Sequence, residues 1–403
     1  MQPMLSGPLG VLVSAGLLGA AAAGADWPRF RGPDANGISP ETGINKDWRA
    51  RPPKLLWQVP MSDDSYAGPS AAAGKVFIID HQGDQDIVKA LELGSGRELW
   101  RFSYKDANSS NYGFSRSTPT YDDGRLYTVS RLGLVHCLNA ATGAKIWSLD
   151  MVAAFGGRRP QWDYAWSALV DGPRLVLVPG GDGAAVAAVD KMTGRTLWKG
   201  GGNDRPGYAT PVSATINGRK QYVVFTAEGV IGVDQSTGAR LWGCQWKTSY
   251  DVNAATPLVI GNGVFITSDY RRGCAMVAVG PSGAQIAWEN KEMHSHFSTP
   301  VYYNGFIYGT TDPGRLVCLD PKTGQVRWQQ RGFEKGGLVA VDGTLIVCDG
   351  ANGDVAMVEL KPDGYTELGR FRPLGGQSWT APIVADGKLI VRNKTALACL
   401  DLK

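Results

Sequence analysis

His294 and His296 stand one residue apart, and in an extended strand they would place two imidazoles on one face, the beginning of a metal site. The sequence supplies no third ligand beside them, so the pair alone defines no metal centre. The chain has no Walker loop, no Gly-x-Ser-x-Gly elbow and no Cys-x-x-Cys pair, which removes the usual signatures of phosphate, acyl-transfer and dithiol chemistry. Ring and charged residues form a richer set. Tyr66, Tyr112, Arg116, Trp162, Asp163, Tyr164, Trp166, Arg205, Tyr208, Asp251, Asn253, His294, His296 and Trp379 fall in short segments (63–70, 111–119, 162–168, 205–211, 251–257, 294–300, 334–340 and 376–382), most of them just ahead of an apolar run. Stacking rings with a few charged groups suit a planar or sugar-like ligand. The same side chains would also serve to plug a channel and solvate its rim, and Asp163 and Asp251 to cap turns.

The elements that must position these residues are set by a repeat. Trp147, Trp198, Trp242 and Trp328 each close a phrase of the kind Asp-x-x-Thr-Gly-x-x-x-Trp, as in DKMTGRTLW and DPKTGQVRW, with Asn-Ala-Ala-Thr-Gly before Trp147. Trp100 and Trp288 end weaker copies, Trp57 matches only the end, and Leu368 stands where the interval expects another Trp. The spacings from 57 to 368 are 43, 47, 51, 44, 46, 40 and 40 residues. The unit ending at Trp328 reads as four short strands: Pro300–Tyr303, a turn at Asn304-Gly305, Phe306–Thr310, a turn at Asp312-Pro313-Gly314, Arg315–Leu319, and Gln325–Trp328 after the Thr-Gly turn. Four antiparallel strands in about 40–45 residues make one blade of a β-propeller. The expected fold is therefore all-β, an eight-bladed propeller of four-stranded antiparallel blades over 51–403, with seven blades as the alternative. The strand around Trp57 is expected to complete the last blade and remove an exposed edge. Trp57, Trp100, Trp147, Trp198, Trp242, Trp288 and Trp328 are expected to pack between blades, each burying roughly 150–250 Å².

Composition agrees. The 403 residues include 53 Gly and 23 Pro with 19% charged side chains, which suits many short strands and tight turns and leaves little room for helix. The net charge of +4 is too small to argue for nucleic acid or an anionic membrane surface. Residues 9–23 are apolar but short for a bilayer span, and Ala23-Gly24-Ala25 offers a small-x-small cleavage site, so 1–25 reads as a signal peptide and the mature chain as periplasmic or extracellular. Residues 1–8 carry no Lys or Arg, and no Cys near the cleavage site points to lipid attachment. Residues 26–50 lie outside the repeat and are expected to form an ordered coil across one face. Cys137, Cys318 and Cys399 occupy the same third-strand place in three units, which predicts buried free thiols rather than disulfides.

The Thr-Gly-x-x-x-Trp phrase resembles the tryptophan-docking repeat of the PQQ-like propeller superfamily, over nearly the whole mature chain. DWPRFRGPDANGIS also resembles the opening of exported bacterial proteins of that group. The resemblance implies either of two functions. One is a quinoprotein dehydrogenase of alcohols or sugars, with pyrroloquinoline quinone and Ca²⁺ on the axis and Asp163 or Asp251 as base or Ca²⁺ ligand. The other is a non-enzymatic propeller binding a protein partner or a small ligand, like the lipoprotein of the outer-membrane barrel-assembly machinery. No two cysteines are adjacent, unlike the ring-stacking disulfide of the quinoprotein alcohol dehydrogenases, and the chain lacks their length. The expectation is therefore an exported, non-catalytic, monomeric binding or scaffold module, with any ligand at the mouth formed by the segments leading into the inner strands. Trp166, Trp379, Tyr164, Asp163 and Arg116 are the expected principal contacts.

Overall fold

A computed structural model describes residues 25–62, 65–107 and 112–403. The expected signal peptide, apart from Ala25, and the segment positions 63–64 and 111 lie outside the described residues.

The described residues form an eight-bladed propeller: eight sheets, six of them four antiparallel strands consecutive in sequence, the other two each joined by a strand from the N-terminal segment. The unit read above is built as Val301–Tyr303, Phe306–Thr311, Arg315–Leu319 and Val326–Arg331. Its first hairpin turns at Asn304 (φ 45°) and Gly305 (φ 89°), a pair of left-handed residues that matches the strands' own twist. The last blade is closed by Lys54–Pro60, antiparallel to Ala396–Asp401 with Trp57 opposite Cys399, so eight blades stand and seven do not. A single helical turn, Met151–Phe155, interrupts the β-structure after the second blade, with Asp150 as its N-cap.

The repeated phrase works as a socket. Asp190 Oδ1 accepts from the Met192 and Thr193 amides (3.0 and 2.9 Å), and Asp234 does the same for Ser236 and Thr237. The Gly that follows sits at φ near +75°, and the previous blade's indole covers it. A Cβ on Gly238 would lie 2.5 Å from the Trp198 ring, and one on Gly143 would lie 2.5 Å from Trp100. The indole N–H then donates to a backbone carbonyl of that next blade: Trp57 to Leu93, Trp100 to Ala140, Trp147 to Lys191, Trp198 to Gln235, Trp288 to Pro321 and Trp328 to Lys361, at 2.8–3.1 Å. Trp57, Trp242 and Trp328 are buried; Trp100, Trp147, Trp198 and Trp288 are half-buried.

Trp242 departs from the expected docking bond. The next blade turns at Gly280–Gly283, a two-residue hairpin without the Thr-Gly socket, so no equivalent carbonyl is presented. The indole still belongs to an apolar cluster drawn from both blades, with Val223 of its own and Val279 of the next, but its N–H donates to Gln221 Oε1 of its own blade at 2.5 Å. Gly232 makes room, since a Cβ there would lie 2.2 Å from the Trp242 nitrogen. Where Leu368 replaces Trp, the N-terminal segment supplies Trp48, which covers Gly369 and meets Phe371 edge-on at 5.2 Å.

Residues directly across the ladder from these tryptophans are often small: Ala90, Ala188 and Gly232, and at three sites Cys137, Cys318 and Cys399. All six cysteines are free, and five are buried. Burial pushes the Cys137 thiol up to about 11 and Cys318 and Cys399 up to about 12, so they behave as small apolar groups.

The N-terminal segment is more than a coil across one face. Ile38–Ser39 adds a fifth, parallel strand on the axis side of the seventh blade, against Ala340 and Val341. Trp27 bridges Ala71 of the first blade, Arg29 donates to the Val170 carbonyl, and Glu41 accepts from Gly387. Arg31 is buried and donates to the carbonyls of Ala35, Asn36, Thr299 and Pro300. The segment thereby spans the axis and floors it.

Candidate functional site: an aromatic-belted axial chamber

Above that floor lies a chamber of about 430 Å³. Each blade contributes two lining residues spaced by two: Tyr66 and Gly68, Arg116 and Thr118, Ala165 and Ser167, Tyr208 and Thr210, Val252 and Ala254, Phe297 and Thr299, Lys335 and Gly337, Trp379 and Ala381. The spacing is the pleat: alternate residues of an extended segment face the same side. Trp27, Phe30, Arg31 and Gly37 form the bottom. The hydroxyls at the waist also join blades. Ser167 Oγ accepts from the Thr118 amide, Thr210 Oγ1 from Ser167 and Thr299 Oγ1 from Thr256, at 2.8–2.9 Å.

The rim is a chain of touching rings. Tyr66 stacks on Trp379 (5.2 Å), which meets Phe297 (5.3 Å), and Phe297 meets His296 (5.0 Å). The series continues through Tyr270 and Tyr250 (5.4 Å at each step), Trp162 (5.7 Å) and Tyr112 (6.0 Å). Tyr208 joins at Trp162, whose amide donates to its hydroxyl at 3.3 Å.

Charges near the mouth are committed to partners. Arg116 donates to the carbonyls of Trp162, Tyr112 and Gly113, and burial lowers its pKa. Lys335 lies between Asp312 (2.9 Å) and Asp269 (3.4 Å). Burial and the neighbouring Asp269 raise the Asp312 pKa. His296 is brought down to about 4 by burial and by Lys335, so it is neutral at physiological pH.

The structure brings Tyr66, Tyr112, Arg116, Trp162, Tyr208, His296 and Trp379 together on the chamber wall. Several expected site residues face elsewhere. Trp166 and Asn253 are each one residue out of phase with the lining pairs, so the pleat points them into the blades. Trp166 is fully buried among Val176, Val186 and their neighbours. Asn253 bridges loops by donating to the Thr226 and Trp246 carbonyls. Tyr164 is also core, its hydroxyl on the Pro179 carbonyl. Asp163, at φ 62°, turns away to Arg131 (3.0 Å) and Arg159. Arg131 in turn grips Asp106 with two bonds. Asp251 pairs with Arg205 (2.8 Å), which also meets Glu228, outside the chamber. His294 and His296 lie in a loop rather than on a strand face, and only His296 lines the chamber. Among the described residues no group of His, Cys, Asp and Glu could hold a metal ion. Sequence reasoning missed Phe297, Tyr270, Tyr250 and Lys335. The first and last lie inside segments already marked, whereas Tyr270 sits in a hairpin of the fifth blade that carries no repeat signal.

The fold and chamber define a tryptophan-docked propeller with an axial chamber closed at one end by its own N-terminal segment. A family profile described as outer membrane protein assembly factor BamB matches residues 83–330, and the chain belongs to that family. It is 22% identical over 333 residues to BamB of Yersinia pestis, covering 76% of this chain and 80% of that protein. It is 25% identical over 303 residues to BamB of Moranella endobia (69% and 72%). Among solved structures, BamB from Moraxella catarrhalis superposes with a TM-score of 0.63 at 18% identity, over 87% of this chain and 99% of that one. The quinohemoprotein alcohol dehydrogenase from Comamonas testosteroni gives 0.56 at 12%, over 94% and 80%, a likeness of fold alone.

A Ca²⁺-held quinone does not fit the residues present. Ca²⁺ takes six to eight oxygen ligands, usually including carboxylates. No Asp or Glu is among the described lining residues, and Asp163 and Asp251 are held by arginines. The cations that a carboxylated quinone would need are spent on carbonyls and on Asp269 and Asp312.

Proposed function

We propose that this chain is an exported, monomeric propeller that serves as a protein-binding scaffold in outer-membrane protein assembly, with its partner seated on the mouth rim. The family match over residues 83–330 carries this reading. The apolar run 9–23 followed by Ala23-Gly24-Ala25 supports export. No helix among the described residues is long and apolar enough to cross a membrane. Exposed Tyr112, Tyr250 and Tyr270 offer amphipathic rings of the kind enriched at protein interfaces. Paired charges around the mouth support binding rather than acid–base chemistry, since each nearby carboxylate already faces a cation. Deleting the gene in its host and measuring folded outer-membrane proteins tests the reading. Their level falls and is restored by the wild-type chain. An unchanged level, with dye reduction by purified protein given quinone, Ca²⁺ and an alcohol, would establish the dehydrogenase reading instead.

A further inference from the structure

We propose that the axial chamber is a binding site for a neutral saccharide of one or two rings, held below the mouth by the inward faces of the rim's rings. Its size is at the lower end of small-ligand pockets. Aromatic faces stand on its wall from separate blades, Trp379 with Tyr66 and Phe297 on one arc, Trp162 with Tyr208 on another. Such flat apolar faces match the C–H faces of a pyranose ring. Below them the waist carries hydroxyls that could meet sugar oxygens. Among them Ser167 and Thr210 belong to the lining pairs, and each accepts one backbone amide while keeping an O–H to donate. The indole nitrogens of Trp162 and Trp379 make no hydrogen bond among the described residues and add two donors at the rim.

Charge decides the class of ligand. Arg31 and Arg116 spend their donors on carbonyls, and Lys335 is offset by Asp269 and Asp312. No carboxylate among the described residues lines the wall to attract a cation. An anion would have to displace bonds these cations already make and a cation would meet no carboxylate on the wall, whereas a neutral polyol needs neither. His296 remains neutral through the physiological range, so the wall does not change charge there.

The test is calorimetric titration of the full chain with maltose, cellobiose, chitobiose and digalacturonate. Saturable binding is expected for at least one neutral disaccharide, with digalacturonate weaker by about tenfold or more and affinity flat between about pH 5.5 and 8. Trp379→Ala should weaken that binding by about tenfold or more. Trp162→Ala, on the other arc, should weaken it by a similar factor. No binding by any neutral disaccharide, tighter binding of digalacturonate, or full affinity in both variants would overturn the proposal. None of these outcomes bears on outer-membrane protein levels in the deletion strain, so the scaffold reading is judged separately.

Discussion

Tyr66 and Trp379, from opposite ends of the chain, lie stacked at 5.2 Å with their rings 25° apart, and this contact brings the lead-in segments of the first and eighth blades together at the chamber mouth. Trp379 is only half-buried, on the lumen side, whereas Trp166, one step out of phase, is fully buried. Trp379→Ala is expected to cost less than about 1 kcal/mol, and Trp166→Ala about 3–5 kcal/mol. Denaturant unfolding of both variants checks this. Equal costs would show that the pleat does not separate wall from core.

Gly238 combines two demands, a left-handed backbone (φ 75°) and the seat of Trp198, while Gly74 has the backbone demand (φ 72°) with open space where a Cβ would go. Gly74→Ala should cost about 1 kcal/mol and Gly238→Ala about 2–4 kcal/mol. A difference below about 1 kcal/mol in melting experiments would remove the socket as a source of stability.

His81 is buried between the first two blades, with Nδ1 2.9 Å from Asp86 and Nε2 2.9 Å from the Gly83 carbonyl. Burial alone would hold the imidazole neutral, but Asp86 and that carbonyl outweigh it and raise its pKa. The folded value lies above the unfolded one, so the stabilisation is complete below about pH 6.5 and is lost as pH rises through the raised value. His81→Gln should therefore destabilise more at about pH 5.5 than at about pH 9. Unfolding of wild type and variant at both values checks the sign, and a gap that widens with pH contradicts it.

Arg31 ties the N-terminal segment to the sixth-blade carbonyls of Thr299 and Pro300. Arg31→Leu leaves buried acceptors unpaired and is expected to cost about 3 kcal/mol. Limited proteolysis should then cut within 26–50 before it cuts the blades. Removing 26–60 as a whole also takes the strand that pairs with Ala396–Asp401, and that truncation should aggregate through the opened edge.

Much of the fold was legible because one phrase repeats. The Asp, Gly and Trp of each turn have local jobs, and a Trp–Gly contact between blades needs no knowledge of the rest of the chain. Trp242 and Leu368 were harder, because each depends on what a neighbouring element supplies: a shortened hairpin for the first, Trp48 for the second. The chamber was legible in its location but only partly in its residues. A one-residue phase separates Ala165 from Trp166 and Val252 from Asn253, and loops such as the one holding Asp163 at positive φ reset that phase invisibly to the sequence. Arg31 and Trp27 were readable as non-repeat residues, but nothing local says that they cross the axis.

The central claim is that the mouth, and not the outer wall of docking turns, is the functional surface. Tyr250 on the rim is 59% exposed and Leu197 on an outer strand is 44% exposed, so both positions accept a photo-crosslinking residue without loss of packing. Irradiating host cells that carry the crosslinker at position 250 or at position 197 compares the two surfaces directly. The account predicts a discrete adduct with an outer-membrane assembly protein at position 250 and none at position 197. An adduct at 197 with none at 250 would place the partner on the outer wall and contradict it.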